Sequence, residues 1–490
     1  GELGTDFIDT HDRMLWFYER ETDTLILRPI LPLDQRTTYA VVVTDRLRGA
    51  DGEPVRSPFS TVHHLRQTEP LEELPAHFAA HPELYGDLAD RGGEGVAFAW
   101  AITTQSVTAD MDMIRDGLYG EGLMAHLAED FPVATAPAQM QGPSRGQSCT
   151  VEGQSTYIAD GDRFRTVLRA IAEQAFGLTD DQIENYMASW AQLDHVVMFY
   201  FDSPYFFENP DQEDLNDAFQ IDHMTGEARV TNEVLGALVM VPKETAEHQQ
   251  PFDTSIYVHG HGSNNGEALL FGGLMMQHGM AVALLNAHGH GLEFDDDELR
   301  LYDAFFGSEC LSPTIRAVAA GRARDHDGDG TLDSGVNFWT ASVFHTRDSV
   351  RQTVVDHMQA VRIMRSFDGR PATPVTLEER SLGTLEFDGD YDGDGSVDVA
   401  GDFDSDGTPD FGGPDANYHF TGGSLGGITS AMFAGMEPAI TSAAPIVGAG
   451  GLSDVAIRTE NGSVLPAMIL RLMGPFVMGR AGSEPGRDSG

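Results

Sequence analysis

The sequence predicts an α/β protein, with a mostly parallel sheet covered by helices on both faces and a β-sandwich in front of it. Three observations carry this. From residue 193 onward, apolar strand-like runs alternate with helical stretches, the pattern of a parallel sheet. At 422–427 the chain reads GGSLGG between a strand and a small-residue helix. Residues 15–62 hold only strand-like runs, split by turn signals such as Asp51-Gly52.

The elements follow in order. LWFYER, TLILRPI and TYAVVVT are rich in β-branched and aromatic residues and read as strands. Residues 70–90 read as helical and 95–107 as one more strand. Together they form a first domain, 1–107, a β-sandwich incomplete at its N-terminus and carrying a helical insertion. Residues 108–192 read as a helical connector. It holds a helix at 108–128, a Pro/Gly-rich stretch at 130–150, and helices near 161–176 and 180–192, the second capped by Thr179. The α/β domain is 193–490. Its strands are 196–201, 235–241, 254–260, 281–286, 417–423 and 440–448, and its helices 265–278, 346–367 and 425–435. Several strands are apolar on both faces, as a sheet covered on both sides requires.

Charge narrows the partners. The net charge of −47 comes from 77 Asp+Glu against 30 Lys+Arg, which argues against nucleic acid, whose affinity is supplied by basic residues neutralising phosphates. An anionic membrane surface is disfavoured for the same reason. No run approaches twenty apolar residues, so no transmembrane segment is expected. A hydrophobic content of 41% is enough for true cores. Cys149 and Cys310 define no disulfide framework, and whether they pair stays open.

Gly422-Gly423-Ser424-Leu425-Gly426 fits G-x-S-x-G. A serine on a sharp strand-to-helix turn projects its Oγ above the sheet at the positive end of the following helix. Small neighbours keep that turn free of clashes. Oxyanion donors are expected from the turn after TSIYVHG, where His259-Gly260-His261-Gly262 precedes Ser263-Asn264. The amide of His261 is the first choice, Gly260 stands beside it, and Leu425 supplies the second donor. The two imidazole rings of that turn are read as structural. His288, in the following AHGHG, is weighed as a side-chain participant and read mainly as shaping the loop.

These motifs resemble the α/β-hydrolase fold. HGHG follows one strand, AHGHG the next, and GGSLGG forms the elbow. LRPILPLDQRTTYAVVVTDRLRGADGEPV (27–55), AWAITTQSV (99–107) and FDSPYFFENP (201–210) are similar to bacterial virulence-factor lipases with an Ig-like front domain, as is TRDSVRQTVVDHMQAVRIM (346–364). The resemblance implies ester hydrolysis on lipids or other acyl esters, by an acyl-enzyme at Ser424. It also implies a location outside the cell or on the bacterial surface, and leaves open a peripheral contact with lipid. The family order is Ser, then acid, then His, yet no histidine follows Ser424. Only one clear strand follows the elbow, so the base and the last strands are expected beyond Gly490; a hydrolase that has lost its base is the alternative. Asp454 is the one nearby candidate for the acid. Residues 464–479 read either as a cap over an acyl pocket or as a core helix.

Three acidic loops share one grammar. Carboxylates stand at positions 1, 3, 5 and 9 and glycine at 6, in Asp325, Asp327, Asp329, Gly330 and Asp333. The same spacing recurs in Asp390, Asp392, Asp394, Gly395 and Asp398, and in Asp402, Asp404, Asp406, Gly407 and Asp410. Thr331, Ser396 and Thr408 occupy position 7, where a carbonyl is the expected ligand. Oxygen-rich ligation around a tight glycine turn suits Ca²⁺; Mg²⁺ prefers fewer protein ligands. Position 12 is not Glu in any copy, so the loops resemble the D-x-D-x-D-G repeats of extracellular calcium modules rather than EF-hands. Two or three structural Ca²⁺ sites are expected, at 325–333 and 388–410, the first on the catalytic side of the sheet and the others beneath it. A solvated acidic linker is the alternative.

The expected function is thus an exported, calcium-stabilised serine ester hydrolase. Two alternatives stay open: a catalytically inactive, cation-binding surface or adhesion protein, and a peptidase or polyester depolymerase built on the same elbow.

Overall fold

The computed structural model describes residues 14–22, 24–57, 72–137, 158–174, 177–210, 214–292, 300, 311, 321–326, 328–380, 383–391, 394–452, 455–456, 459 and 464. Asp327, Asp392, Asp454, Cys149, Cys310 and residues 465–479 lie outside them. The chain forms two compact units, Gly1–Ala109 and Asp110–Gly490.

In the first unit β1 (Met14–Glu19) pairs antiparallel with β2 (Thr24–Pro29), and β3 (Thr38–Thr44) with β4 (Val96–Thr103). Short helices α1 (Leu74–Ala80), α2 (Pro82–Tyr85) and α3 (Asp87–Arg91) fall where a helical insertion is expected. Leu74, Phe78 and Leu88 pack on Val96 and Ala99 of β4 in a small core. The described strands make two separate two-stranded antiparallel ladders. In β1, Trp16 is 70% exposed among the described residues.

The second unit is mixed α/β. Helix α4 (Ala109–Leu118) opens it, followed by the short strands β5 (Ala136–Pro137) and β6 (Ile158–Asp160) and helices α5 (Gly161–Gln174) and α6 (Asp180–Ser189). Thr179 caps α6 in a reciprocal capping box with Gln182. The sheet strands are β7 (Leu193–Tyr205), β8 (Thr231–Pro242), β9 (Asp253–Val258), β10 (Met280–Leu285), β13 (Tyr418–Gly423) and β14 (Ile440–Ile446). An additional hairpin, β11 (Val375–Glu379) with β12 (Gly383–Phe387), pairs separately from the sheet and packs Leu377, Leu385 and Phe387 into the same core.

The eight-stranded sheet runs β14-β13-β9-β10-β8-β7-β5, with β6 on β7. Strands β10, β9, β13 and β14 are mutually parallel, while β8 is antiparallel to both of its neighbours. After the first residue of each, β9 and β10 are buried along their whole length, the consequence of helices flanking the sheet. The chief of these helices, α8 (Val343–Arg365), is buried on nearly every side. Helix α9 (Leu425–Met436) leaves the carboxyl end of β13. The expected helix at 265–278 is instead a 3₁₀ turn, Asn265–Leu270, and a short α7 (Gly272–Met276). The run contains three glycines and only two full turns of apolar residues, too little to hold one continuous helix.

Candidate active site and metal loops

Strand β13 lies between β9 and β14, and Ser424 follows its carboxyl end at the start of α9. The backbone there turns with φ 56° and ψ −110°, a left-handed conformation that a non-glycine residue adopts at a cost of about 1–3 kcal/mol. Neighbouring glycines permit the turn. A Cβ on Gly422 would come within 2.5 Å of the Val258 carbonyl, and one on Gly426 within 1.9 Å of it. The Ser424 amide donates to Ile446 O at 3.0 Å, tying the turn to β14. The side chain of Ser424 is exposed.

The HGHG turn at the end of β9 faces this serine. A Cβ built on Gly260 would lie 3.7 Å from Ser424 Cβ and 3.7 Å from Gly423 O. The Gly260 amide, however, donates to Glu267 Oε2 at 2.9 Å, which removes it from the set of oxyanion donors. The amides of His261 and Leu425 donate to no described residue; Leu425 opens α9, where amides have no intrahelical partner.

Glu267 was missed by sequence reasoning. Its Oε1 accepts the Tyr257 hydroxyl at 2.8 Å, so one carboxylate clamps both the end of β9 and the turn after it. Burial, then this carboxylate, pushes the Tyr257 phenol well above its usual range. A signal was present: Asn264-Asn265-Gly266-Glu267 has the spacing of a helix cap followed by its acid, and Asn264 does cap Gly266 at 2.9 Å.

The histidine rings of these turns hold two loops together. His259 Nε2 accepts the Ala287 amide at 3.0 Å, joining the ends of β9 and β10. His290 Nε2 lies 3.3 Å from His261 Nδ1. Burial lowers the pKa of His259 and of His261 to about 4, so both rings are neutral at neutral pH. His288 stacks on Phe207 with ring centroids 4.9 Å apart, and its amide donates to Thr353 Oγ1.

The described residues of the three acidic loops share one hydrogen-bonding pattern. In each, the carboxylate at position 1 accepts the amides of positions 5 and 6: Asp325 from Asp329 and Gly330, Asp390 from Asp394 and Gly395, Asp402 from Asp406 and Gly407. The carboxylate at position 9 accepts the amide of position 2, with Asp333, Asp398 and Asp410 bonding His326, Tyr391 and Phe403. Gly330, Gly395 and Gly407 stand at φ 91°, 90° and 96°, which explains glycine at position 6. Thr331, Ser396 and Thr408 are exposed and donate their amides to the aspartate at position 5. In the third loop, ligand oxygens of Asp402, Asp404 and Asp406 fall within 4.8 Å of one another, a spacing that fits one cation. Burial first, and like charge from Asp410 and Asp404, raises the Asp402 pKa to about 7.

Their positions differ. Just after the first loop, Gly335 donates to Gly289 O, close to the His261 and His290 rings. The third loop pairs with Phe252, at the amino end of β9 and so opposite Ser424. A cavity of about 510 Å³ opens beside Glu233, Arg322, Arg324 and Arg380. Ser424 is not among its walls, and its lining is too charged for an acyl chain. Comparison with known proteins adds no family: no family model and no curated protein matches the chain.

Proposed function

We propose that the protein is an extracellular serine ester hydrolase of the α/β-hydrolase type, acting on acyl esters or lipids. The observation that carries this reading is the strained, exposed Ser424 at the carboxyl end of a central strand, beside the HGHG turn. In this reading Ser424 Oγ attacks the acyl carbon and its proton passes to a base. The amides of His261 and Leu425 hold the developing oxyanion, each worth about 2.7–4 kcal/mol. The ester C–O bond then breaks, the alcohol leaves with the proton, and water hydrolyses the acyl-enzyme. The base is not among residues 425–490, which contain no histidine; the reading requires one from elsewhere in the full protein.

The three acidic loops, alike in their glycine turns, favour a second reading, an inactive hydrolase-like domain on a cation-binding surface protein. A fluorophosphonate probe on the full-length protein separates the two. Labelling is expected, and Ser424→Ala is expected to abolish it and to lower p-nitrophenyl ester hydrolysis by about 10³-fold or more. Labelling that survives the substitution removes Ser424 from its role; a wild-type protein that never labels supports the second reading. Esters of graded chain length, run beside a peptide panel, distinguish lipase from peptidase or depolymerase action.

Ca²⁺ is proposed as the structural ion of the loops, supported by their shared glycine turns and carboxylate spacing. Removing it with EGTA is expected to lower the thermal midpoint. Ca²⁺ at about 100 times its dissociation constant is expected to restore about 2.7 kcal/mol per site. A midpoint indifferent to both additions takes calcium out of the reading.

A further inference from the structure

The cavity beside Arg322 has a volume of about 510 Å³, within the roughly 300–1,000 Å³ of small-molecule sites. Sheet register explains its place. Leu285, the last residue of β10, pairs with Ala237 of β8. Residues 232–236 of β8 therefore run past the carboxyl end of β10, and no described strand pairs with them on that side. The cavity lies against this overhang, with Glu378, Glu379 and Arg380, at and just after the end of β11, as further walls. Because β10 and β13 both run parallel to β9, it stands at the same end of the sheet as Ser424. Strands β9 and β10 lie between β13 and β8, so the two places are separate.

The walls carry three guanidiniums, from Arg322, Arg324 and Arg380, and three carboxylates, from Glu233, Glu378 and Glu379. At the floor these charges alternate. Glu233 is shared by Arg322 and Arg324, with Arg324 Nη2 3.0 Å from Oε1. A charged ligand would meet groups of its own sign there, and a fatty chain would strip water from all of them. A neutral polyhydroxylated ligand avoids both costs, since each hydroxyl can donate to a carboxylate and accept from a guanidinium. Pro210 and Leu285 add aliphatic surface for the C–H face of a sugar ring.

One wall group lacks a partner that such a ligand supplies. Arg322 is 5% exposed and bonds Asp356 through Nη1 and Glu233 through Nη2. Its Nε has no hydrogen-bond partner among the described residues, whereas buried polar groups are normally paired. We propose that this cavity is a second binding site, for a neutral polyhydroxylated ligand of sugar size. The inference does not depend on Ser424 being a nucleophile.

Maltose, lactose, sucrose and trehalose are the probes, each added to the full chain and followed by saturation-transfer difference NMR. At least one is expected to receive saturation and to titrate to a plateau. Arg380→Ala and Glu378→Ala, at exposed wall positions, are expected to weaken that binding about 10-fold or more. Arg370→Ala, at an exposed arginine outside the cavity, is expected to leave it unchanged. The proposal is overturned if none of these sugars receives saturation, or if a bound sugar is indifferent to both wall substitutions. Displacement of the sugar by sodium acetate would mark an anion site instead, and saturation of octanoate in place of the sugars an acyl site; either result also overturns it.

Discussion

Arg322→Ala is expected to destabilise the second unit by about 3–5 kcal/mol, read as a lower urea midpoint at unchanged slope. Arg322 is 5% exposed and sits between Glu233 of β8 and Asp356 of α8, bonded to both. Asp356 is fully buried; it also accepts Ser203 Oγ at 2.8 Å and Gln352 Nε2 at 2.9 Å. Glu233 keeps a second guanidinium, with Arg324 Nη2 3.0 Å away. The two acids respond accordingly. Burial pushes Glu233 up, but two arginines outweigh it and hold its pKa below the usual range. Burial pushes Asp356 up, and one arginine does not bring it back.

Truncating Arg322 leaves Asp356 without that charge partner in a dry interior, which is why the loss exceeds the net worth of an ion pair. The pH dependence follows. An acid whose folded pKa lies above its unfolded value gives stability that is full below the unfolded pKa and is lost as pH rises through the folded one. Removing Arg322 raises the Asp356 pKa further, so the deficit of the variant should shrink as pH falls. A loss below about 1 kcal/mol, or a deficit that grows on acidification, contradicts the account.

Gly426→Ala is expected to damage both fold and reactivity, while Gly435→Ala in the same helix is expected to stabilise. At Gly426 the added carbon would sit 1.9 Å from Val258 O and 3.0 Å from His259 O. Both are main-chain atoms at the end of β9 and its turn, so relief requires moving the backbone that faces Ser424. Overpacking of this kind costs about 1–3 kcal/mol. A displacement of about 1 Å in a reacting group can cost about 10²-fold in rate, to be read here as slower fluorophosphonate labelling of the full-length protein. At Gly435 a Cβ meets nothing within 4 Å, and the exposed helix position should gain about 0.4–1 kcal/mol from a less flexible unfolded chain. Equal effects at the two glycines would show that the contact with Val258 does not matter. Normal labelling with a lowered midpoint would separate folding from positioning.

What was legible in the sequence was whatever contiguous residues write locally. The turn at Ser424 needs a strand, small residues and a helix in succession, and all three lie within 417–436. The acidic loops close through hydrogen bonds between residues at most seven apart, so their spacing alone betrays them. The capping box at Thr179 and the strand–helix alternation are of the same kind. The β11–β12 hairpin was readable too, in the alternation of VTLEE and GTLEF, but it was passed over inside a long acidic stretch.

Tertiary structure decided the rest, because the pairing of distant residues depends on strand order, which no local pattern encodes. Only the order β13-β9-β10 brings Gly260 to Ser424 and lets His259 bridge to Ala287. The sequence alone assigned Gly260 an oxyanion role; folding gave its amide to Glu267 instead. Asp194 and His195, at the head of β7, meet Asp404 and Asp410 where Phe403 of the third loop stacks on Phe199 of β7. Charge pattern marks a residue as acidic or basic, whereas burial sets what that charge costs, and burial belongs to the assembled fold.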